Sequence, residues 1–149
     1  MENMFNAADR AALQQRLSRL QPTSARLWGK MSAAQMLAHC AAAMEMACGD
    51  RQKKQAFLGK LITPFIRSAV LGPKPLGRNS PTDPDLVIAE QREFDAEWQR
   101  LSTLVDRFCH AGPDAASRQI HSFFGKFSGE EWGRLTYKHL DHHLRQFGV

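Results

Sequence analysis

The sequence predicts an all-α fold, a bundle of four principal helices with an extra short or broken helical segment. Apolar residues recur at helical spacing along most of the chain. Two helix starts carry the capping-box pattern, in which a serine precedes Gln or Glu by three residues, at Ser32–Gln35 and at Ser128–Glu131. No stretch alternates apolar and polar residues as a half-buried strand does. Several helices without a sheet are typical of a helical bundle.

The first two helices have clear boundaries. The first is expected after Asn6, an N-cap candidate followed three residues later by the acid Asp9. Its apolar stripe consists of Leu13, Leu17 and Leu20. The second is expected to run from Ser32 to Cys48 and to end before Gly49, a residue that favours helix termination.

The middle of the chain is less regular. The segment 52–71 is expected to be helical but broken near Thr63, because Pro64 lacks the backbone donor that a helix interior needs. The Pro- and Gly-rich stretch 72–85 is predicted as the longest loop. A further helix is expected from about 86 to 109. Its buried stripe is predicted to be Phe94, Trp98, Leu101, Val105 and Phe108.

Length and composition bound the class of protein. The 149 residues and 16.8 kDa correspond to a single domain, 1–149. No apolar run is long enough to span a membrane, and MENMFNAADR lacks the pattern of a secretory signal. The three cysteines form no CxxC pair, and Cys40 and Cys48 would lie about 12 Å apart on one helix, too far for a disulfide. We therefore expect a cytoplasmic protein without disulfides.

Charge is segregated along the chain. Between Arg51 and Arg78 lie seven basic residues and no acid, whereas seven acids lie between Asn79 and Asp106. Such a distribution indicates a basic surface that faces an acidic neighbour or an anionic ligand. No nucleic-acid-binding motif accompanies the charge, so nucleic acid is not the expected partner.

The last part of the chain carries the most informative residues. Residues 111–127 are predicted to be mostly loop, and the final helix is expected from Ser128 to Phe147. On that helix His143 lies about 40° from His139, within the apolar sector, whereas His142 lies about 60° away on the charged side. The chain has six histidines, which are His39, His110, His121, His139, His142 and His143. Apart from the histidines of the final helix, only His39, on the second helix, has a helical position that suggests a role.

Two inward histidines four residues apart can bind one metal ion if another helix supplies a third ligand. His39 is the candidate, since it lies at the edge of the apolar sector of the second helix. The spacing alone leaves open that all three are structural histidines. The HExxH pattern of zinc proteases is not present, because Leu140 follows His139.

Two stretches resemble the DinB/YfiT-like superfamily of metalloenzymes, in one of its bacterial branches. The first is WGKMSAAQMLAH, from Trp28 to His39, and the second runs from HSFFGKFSGEEWGRLTYKHLDHH, beginning at His121, to Gly148. The resemblance implies an antiparallel four-helix bundle with a long crossover, often dimeric. It also implies a divalent nickel, zinc or iron ion held by His39, His139 and His143.

The resemblance further implies a reaction class. Related proteins include metal-dependent S-transferases and isomerases that use low-molecular-weight thiols, and some hydrolases. The leading hypothesis is that the protein activates a thiol or water for attack on a small electrophile, with no catalytic side chain assigned beyond the ligands. His121 is a candidate for the mouth of the site, and Cys40 and Trp132 are interpreted as core residues.

Two alternatives stay open. One is a metal-dependent binding module without turnover. The other is a dimeric interaction protein with a basic surface, in which the amphipathic segment 57–71 contacts a second subunit. The predicted break at Pro64 argues against docking of that segment on a membrane.

Overall fold

The computed structural model describes residues 1–51 and 54–149, and these are mostly α-helical. Gln52 and Lys53, the latter part of the predicted basic segment, lie outside the described residues. The helices are α1 (Ala7–Leu17), α2 (Ala33–Cys48), α3 (Phe57–Leu71), α4 (Phe94–Ala116) and α5 (Gly129–Gln146). A 3-10 turn spans Pro84–Leu86, and the two-residue strands β1 (Ile120–His121) and β2 (Gly125–Lys126) form an antiparallel ladder.

The predicted helix caps are confirmed. The Asn6 side chain accepts hydrogen bonds from the backbone N–H groups of Ala8 and Asp9 at the start of α1. Both capping boxes are formed, with Ser32 at α2 and Ser128 at α5. Each cap satisfies backbone donors that a helix start leaves without partners, so the two helices that carry the candidate ligands begin at well-defined residues.

The core lies where α2 packs against α4 and both contact α5, while α1 and α3 contact α5. Leu13, Leu17 and Leu20 are buried as predicted. Of the stripe predicted for α4, Leu101, Val105 and Phe108 are buried and Phe94 and Trp98 are half-buried. In residues 1–51 and 54–149, none of the helices has both the length and the apolar composition needed to cross a membrane.

The prediction of a break near Thr63 is wrong. Helix α3 continues through Pro64 to Leu71. Pro64 is exposed, so the carbonyl that would accept its missing N–H can bind water instead. The outcome is a helix whose solvent-facing side is apolar, with Phe57, Leu58, Leu61 and Phe65 exposed by 77%, 58%, 56% and 82% of their surface.

The predicted bounds of the fourth helix are also wrong. Helix α4 begins at Phe94 rather than near Leu86, because the preceding residues place their carbonyl groups against α2 instead of in helical bonds. The Gln35 side chain donates to the carbonyls of Ala89 and Glu90. At its other end α4 reaches Ala116, past a non-helical Gly112 with φ of 80°.

The prediction that 111–127 is mostly loop holds only in part. The end of α4 lies in this range, and so does the β1–β2 ladder, which pairs Ile120 with Lys126 and His121 with Gly125. A ladder of two residues per strand is too short to produce an alternating sequence pattern.

Candidate metal centre

Three histidines from two helices meet inside the protein. His39 comes from α2, and His139 and His143 come from α5. One ring nitrogen of each lies within 4.8 Å of the other two. The Nε2 atoms of His39 and His139 are 3.0 Å apart, and the ring centroids of the three pairs are 4.7 to 4.9 Å apart.

The backbone of the segment before α4 orients His39. Its Nδ1 lies 2.7 Å from the carbonyl oxygen of Leu86. A carbonyl oxygen can only accept, so Nδ1 carries the hydrogen and donates it. In the neutral ring Nε2 is then left with a free lone pair, which faces His139.

A relay through Gln146 orients His143 in the same way. The Gln146 amide nitrogen donates to the carbonyl oxygen of Trp28 at 2.9 Å, which leaves its Oε1 as the acceptor for His143 Nδ1 at 2.9 Å. With Nδ1 as the donor, the Nε2 lone pair of neutral His143 is free. Second partners of this kind are typical of metal-binding histidines.

Burial and neighbouring rings keep the three histidines His39, His139 and His143, the triad, uncharged. Burial lowers the pKa of His143 to about 3, with the nearby His39 ring as a further cause. Burial, and then the neighbouring His143 and His39, hold the pKa of His139 well below its usual range. Burial also lowers the pKa of His39. All three rings are therefore neutral at neutral pH, which is the form that binds metal ions.

The three histidines differ in burial. His39 and His143 are buried, whereas His139 keeps part of its residue surface exposed. Because the ligand atoms are neutral nitrogens, the cluster matches divalent ions that favour imidazole, such as zinc, nickel and iron.

His142 lies outside the triad. Its ring packs edge-on against Trp28, with centroids 5.8 Å apart, and is partly buried. The helical-wheel prediction that this histidine lies at the boundary is confirmed. Asp141 points away from the cluster as well, because its carboxylate is paired with Arg16 at 2.7 Å.

His121 belongs to an aromatic cluster next to α5. Its ring contacts Phe124, Phe127 and Trp132 at centroid distances of 4.9, 5.7 and 5.5 Å. Its Nδ1 accepts the backbone N–H groups of Phe123 and Phe124. Burial lowers the pKa of His121 to about 4, partly opposed by the Asp83 carboxylate. This ring therefore has a structural role in the turn between β1 and β2.

Two further residues behave as predicted from the sequence. Trp132 is buried and packs edge-on against Phe127 at 5.6 Å. Cys40 is fully buried, its thiol lies 3.6 Å from the sulfur of Met36, and burial raises its pKa. A thiol kept protonated in the core is not an available nucleophile. All three cysteines are free.

The three arginines of the basic segment are engaged in side-chain pairs. Arg67 forms a two-point ion pair with Glu131 of α5, Arg51 pairs with Glu45 of α2, and the Arg78 guanidinium lies 4.3 Å above the Trp28 ring. Of these, Arg67 links α3 to α5, and Arg78 links the long loop to the segment before α2.

Sequence reasoning missed the two groups that orient the ligands. Gln146 lies three residues after His143 and on the same side of α5, so its helical position was a usable signal. The Leu86 carbonyl left no such signal, because a backbone group has no residue type and the segment was expected to be helical.

The comparison with protein families decides the classification. Residues 2–148 match the model of the family DUF1569, whose description is "protein of unknown function". The chain belongs to this family. No curated protein matches this family member, and no solved structure does.

Proposed function

We propose that this family member is a divalent-metal protein of the DinB/YfiT-like type, with His39, His139 and His143 as the ligands. One observation carries the proposal: three neutral imidazoles direct ring nitrogens toward a common point. Hydrogen bonds to Leu86 and Gln146 hold two of these rings in the tautomer that leaves Nε2 free. The proposed fold is an antiparallel four-helix bundle of α1, α2, α4 and α5, with α3 and the long loop as the crossover.

The donor set fits a metal ion. Nitrogens that share one ion at about 2.1 Å each lie about 3 to 3.5 Å apart, and the His39–His139 pair already has its nitrogens at 3.0 Å. Small side-chain rotations suffice to bring the remaining ligand atoms, now within 4.8 Å, to that spacing. Without an ion, neutral His139 can donate an Nε2 hydrogen to the free lone pair of His39 Nε2 across the 3.0 Å contact, so an ion would bind by displacing that hydrogen.

The proposed activity is attack of an activated thiol or water on a small electrophile. A trihistidine-bound divalent ion supplies a Lewis acid that favours the deprotonated form of such a nucleophile. The chain itself would contribute three ligands, two of them oriented by hydrogen bonds to Leu86 and Gln146. A low-molecular-weight thiol and a small electrophile are the proposed partners.

Metal content tests the site. Tag-free protein reconstituted with nickel, zinc or iron is expected to hold about one ion per chain, measured by plasma mass spectrometry. His39→Ala and His143→Ala are each expected to lose that ion, because two histidines remain. His142→Ala is the matched control on the same helix and is expected to keep it. Full metal content in His39→Ala would contradict the assignment, and so would loss in His142→Ala alone.

Turnover separates the enzyme from the binding module. The metal-loaded protein is assayed with a panel of small electrophiles, with and without a low-molecular-weight thiol. Metal-dependent product formation that His143→Ala abolishes supports the enzyme. Metal-dependent ligand binding without any product favours the non-catalytic alternative.

We also propose that the exposed apolar side of α3 is the contact between two subunits. An apolar face made by Phe57, Leu58, Leu61 and Phe65 is unusual on an isolated monomer, and such patches mark interaction surfaces. Since α3 is continuous through Pro64, the predicted break no longer counts against a membrane as the occupant, and the experiment includes that case.

Sedimentation velocity tests the dimer. The wild type is expected to be dimeric, whereas Phe65→Glu places a charge in the apolar contact and is expected to weaken association by about tenfold or more. Gln15→Glu, at an exposed position on α1, adds the same single negative charge elsewhere and is the control. A monomeric wild type that sediments with anionic lipid vesicles would overturn the proposal in favour of a membrane.

A further inference from the structure

A cavity separate from the candidate metal centre lies beside α5, and none of the three triad histidines lines it. Its volume is about 250 Å³, and its walls come from α5, the loop after α3, the end of α1 and the first two residues. Six of the lining residues carry charged side chains. The cations are Arg16, Arg134, Lys138 and Arg145, and the acids are Glu2 and Asp141.

The charges in this cavity do not cancel. Asp141 is already shared by two cations, with Arg16 Nη1 at 2.7 Å and Arg145 Nε at 3.2 Å. Four cations against two acids leave an excess of two positive charges in the lining. A concave, positively charged surface of this kind raises the local concentration of anions.

Arg134 is the group that lacks a partner. Its Nε is buried, and within the described part of the chain no acceptor lies within hydrogen-bond distance of it. Arg134 also forms no ion pair with an acid of the described residues, although it lines the cavity. The two terminal nitrogens of a guanidinium form a fork that matches the two oxygens of a carboxylate or phosphate.

Lys138 stands one helical turn from Arg134, so both side chains reach the same cavity. Its ammonium donates to the backbone carbonyls of Val70 and Gly72, at 2.5 and 2.6 Å. These two bonds fix the ammonium at the cavity wall and use two of its three hydrogens. The third remains for an oxygen placed between Lys138 and Arg134.

We propose that this cavity binds a small molecule through its carboxylate or phosphate group, with Arg134 as the principal ligand and Lys138 as the second. The oxyanion receives hydrogens from the two terminal nitrogens of Arg134 and one hydrogen of Lys138. The site is separate from the candidate metal centre and does not depend on the proposed metal chemistry.

The test follows the Arg134 Nε–H signal by proton–nitrogen NMR during titration with inorganic phosphate and, separately, with succinate. Titration calorimetry measures the affinities. Buffers are stripped of metal beforehand, so that neither anion can bind through an ion at the triad. Saturable binding with a shifted Arg134 signal is expected, and the tighter of the two anions identifies the headgroup.

Substitutions distinguish two-point hydrogen bonding by the Arg134 guanidinium from attraction by positive charge alone. Arg134→Gln and Arg134→Lys are each expected to weaken binding by about tenfold or more, because the second keeps the charge but loses the fork. Arg19→Gln, exposed and outside the cavity, removes the same charge and is expected to bind as the wild type. The proposal is overturned if neither anion binds with a Kd below about 10 mM. It is also overturned if Arg134→Lys binds as tightly as the wild type, or if Arg19→Gln loses as much affinity as Arg134→Gln.

Discussion

Saturating the wild-type protein with a divalent ion is expected to raise its free energy of unfolding by about 4 kcal/mol when free metal exceeds the Kd about a thousandfold. The reason is linkage: the native state presents three ligands and the unfolded chain does not hold them together. In a domain of this size the gain corresponds to a rise of about 10 °C in Tm. Differential scanning calorimetry with and without metal, at pH 7.5 in the absence of a tag, measures it.

The comparison uses the metal-dependent increment rather than absolute stability. His39→Ala leaves the Leu86 carbonyl without its partner and lowers stability even without metal, so only the difference between metal-loaded and metal-free protein is informative. That difference is expected to vanish in His39→Ala and His143→Ala and to persist in His142→Ala. An equal increment in all four proteins would mean that the ion binds elsewhere.

Stability is also expected to fall steeply between pH 6.5 and pH 4, because His121 stays neutral in the folded protein. Its pKa is lowered to about 4, whereas in the unfolded chain it has its usual value of 6.5. Below pH 6.5 the unfolded chain therefore binds a proton that the native state does not, and unfolding is favoured as pH falls. Over this window the loss from His121 alone is about 3 kcal/mol, and it is complete once the pH falls below the folded pKa.

His121→Asn isolates this effect, because an asparagine oxygen can replace Nδ1 as acceptor for the N–H groups of Phe123 and Phe124 but does not titrate. Urea unfolding at a series of pH values is expected to show a shallower loss of stability in this variant. His110→Asn, at an exposed position, is the control and is expected to follow the wild type. Parallel pH profiles for all three proteins would show that the His121 ring is protonated as readily in the folded state.

The elements that could be predicted from the sequence are those whose signals are local. A capping box places a donor and an acceptor three residues apart, so Ser32 and Ser128 located two helix starts correctly. The helical wheel likewise separated His143 from His142, since the direction of a side chain on a regular helix follows from its position. For the same reason the pairing of His139 with His143 needed no tertiary information.

The errors arose where distant contacts or solvent outweigh local preference. The residues before Phe94 have a helix-compatible sequence, but their carbonyls bind Gln35 and His39 of α2. Pro64 was expected to interrupt α3, yet its exposed position lets water replace the lost hydrogen bond. Neither the non-helical segment before Phe94 nor the continuity of α3 can be predicted from a window of a few residues. The orientation of His39 depends on the first of these, because the Leu86 carbonyl lies in that segment.

The separation of the ligands along the chain has a consequence for folding kinetics. His39 and His139 are 100 residues apart, whereas His139 and His143 are one helical turn apart. Early in folding the last helix can offer only two of the three proposed ligands, and the third arrives only when a loop of this length closes against its entropic cost. If the proposed ligands bind a metal ion, its capture is expected to be a late event that follows the docking of α2 on α5. The rate at which refolding protein takes up the ion would therefore time the docking of α2 on α5.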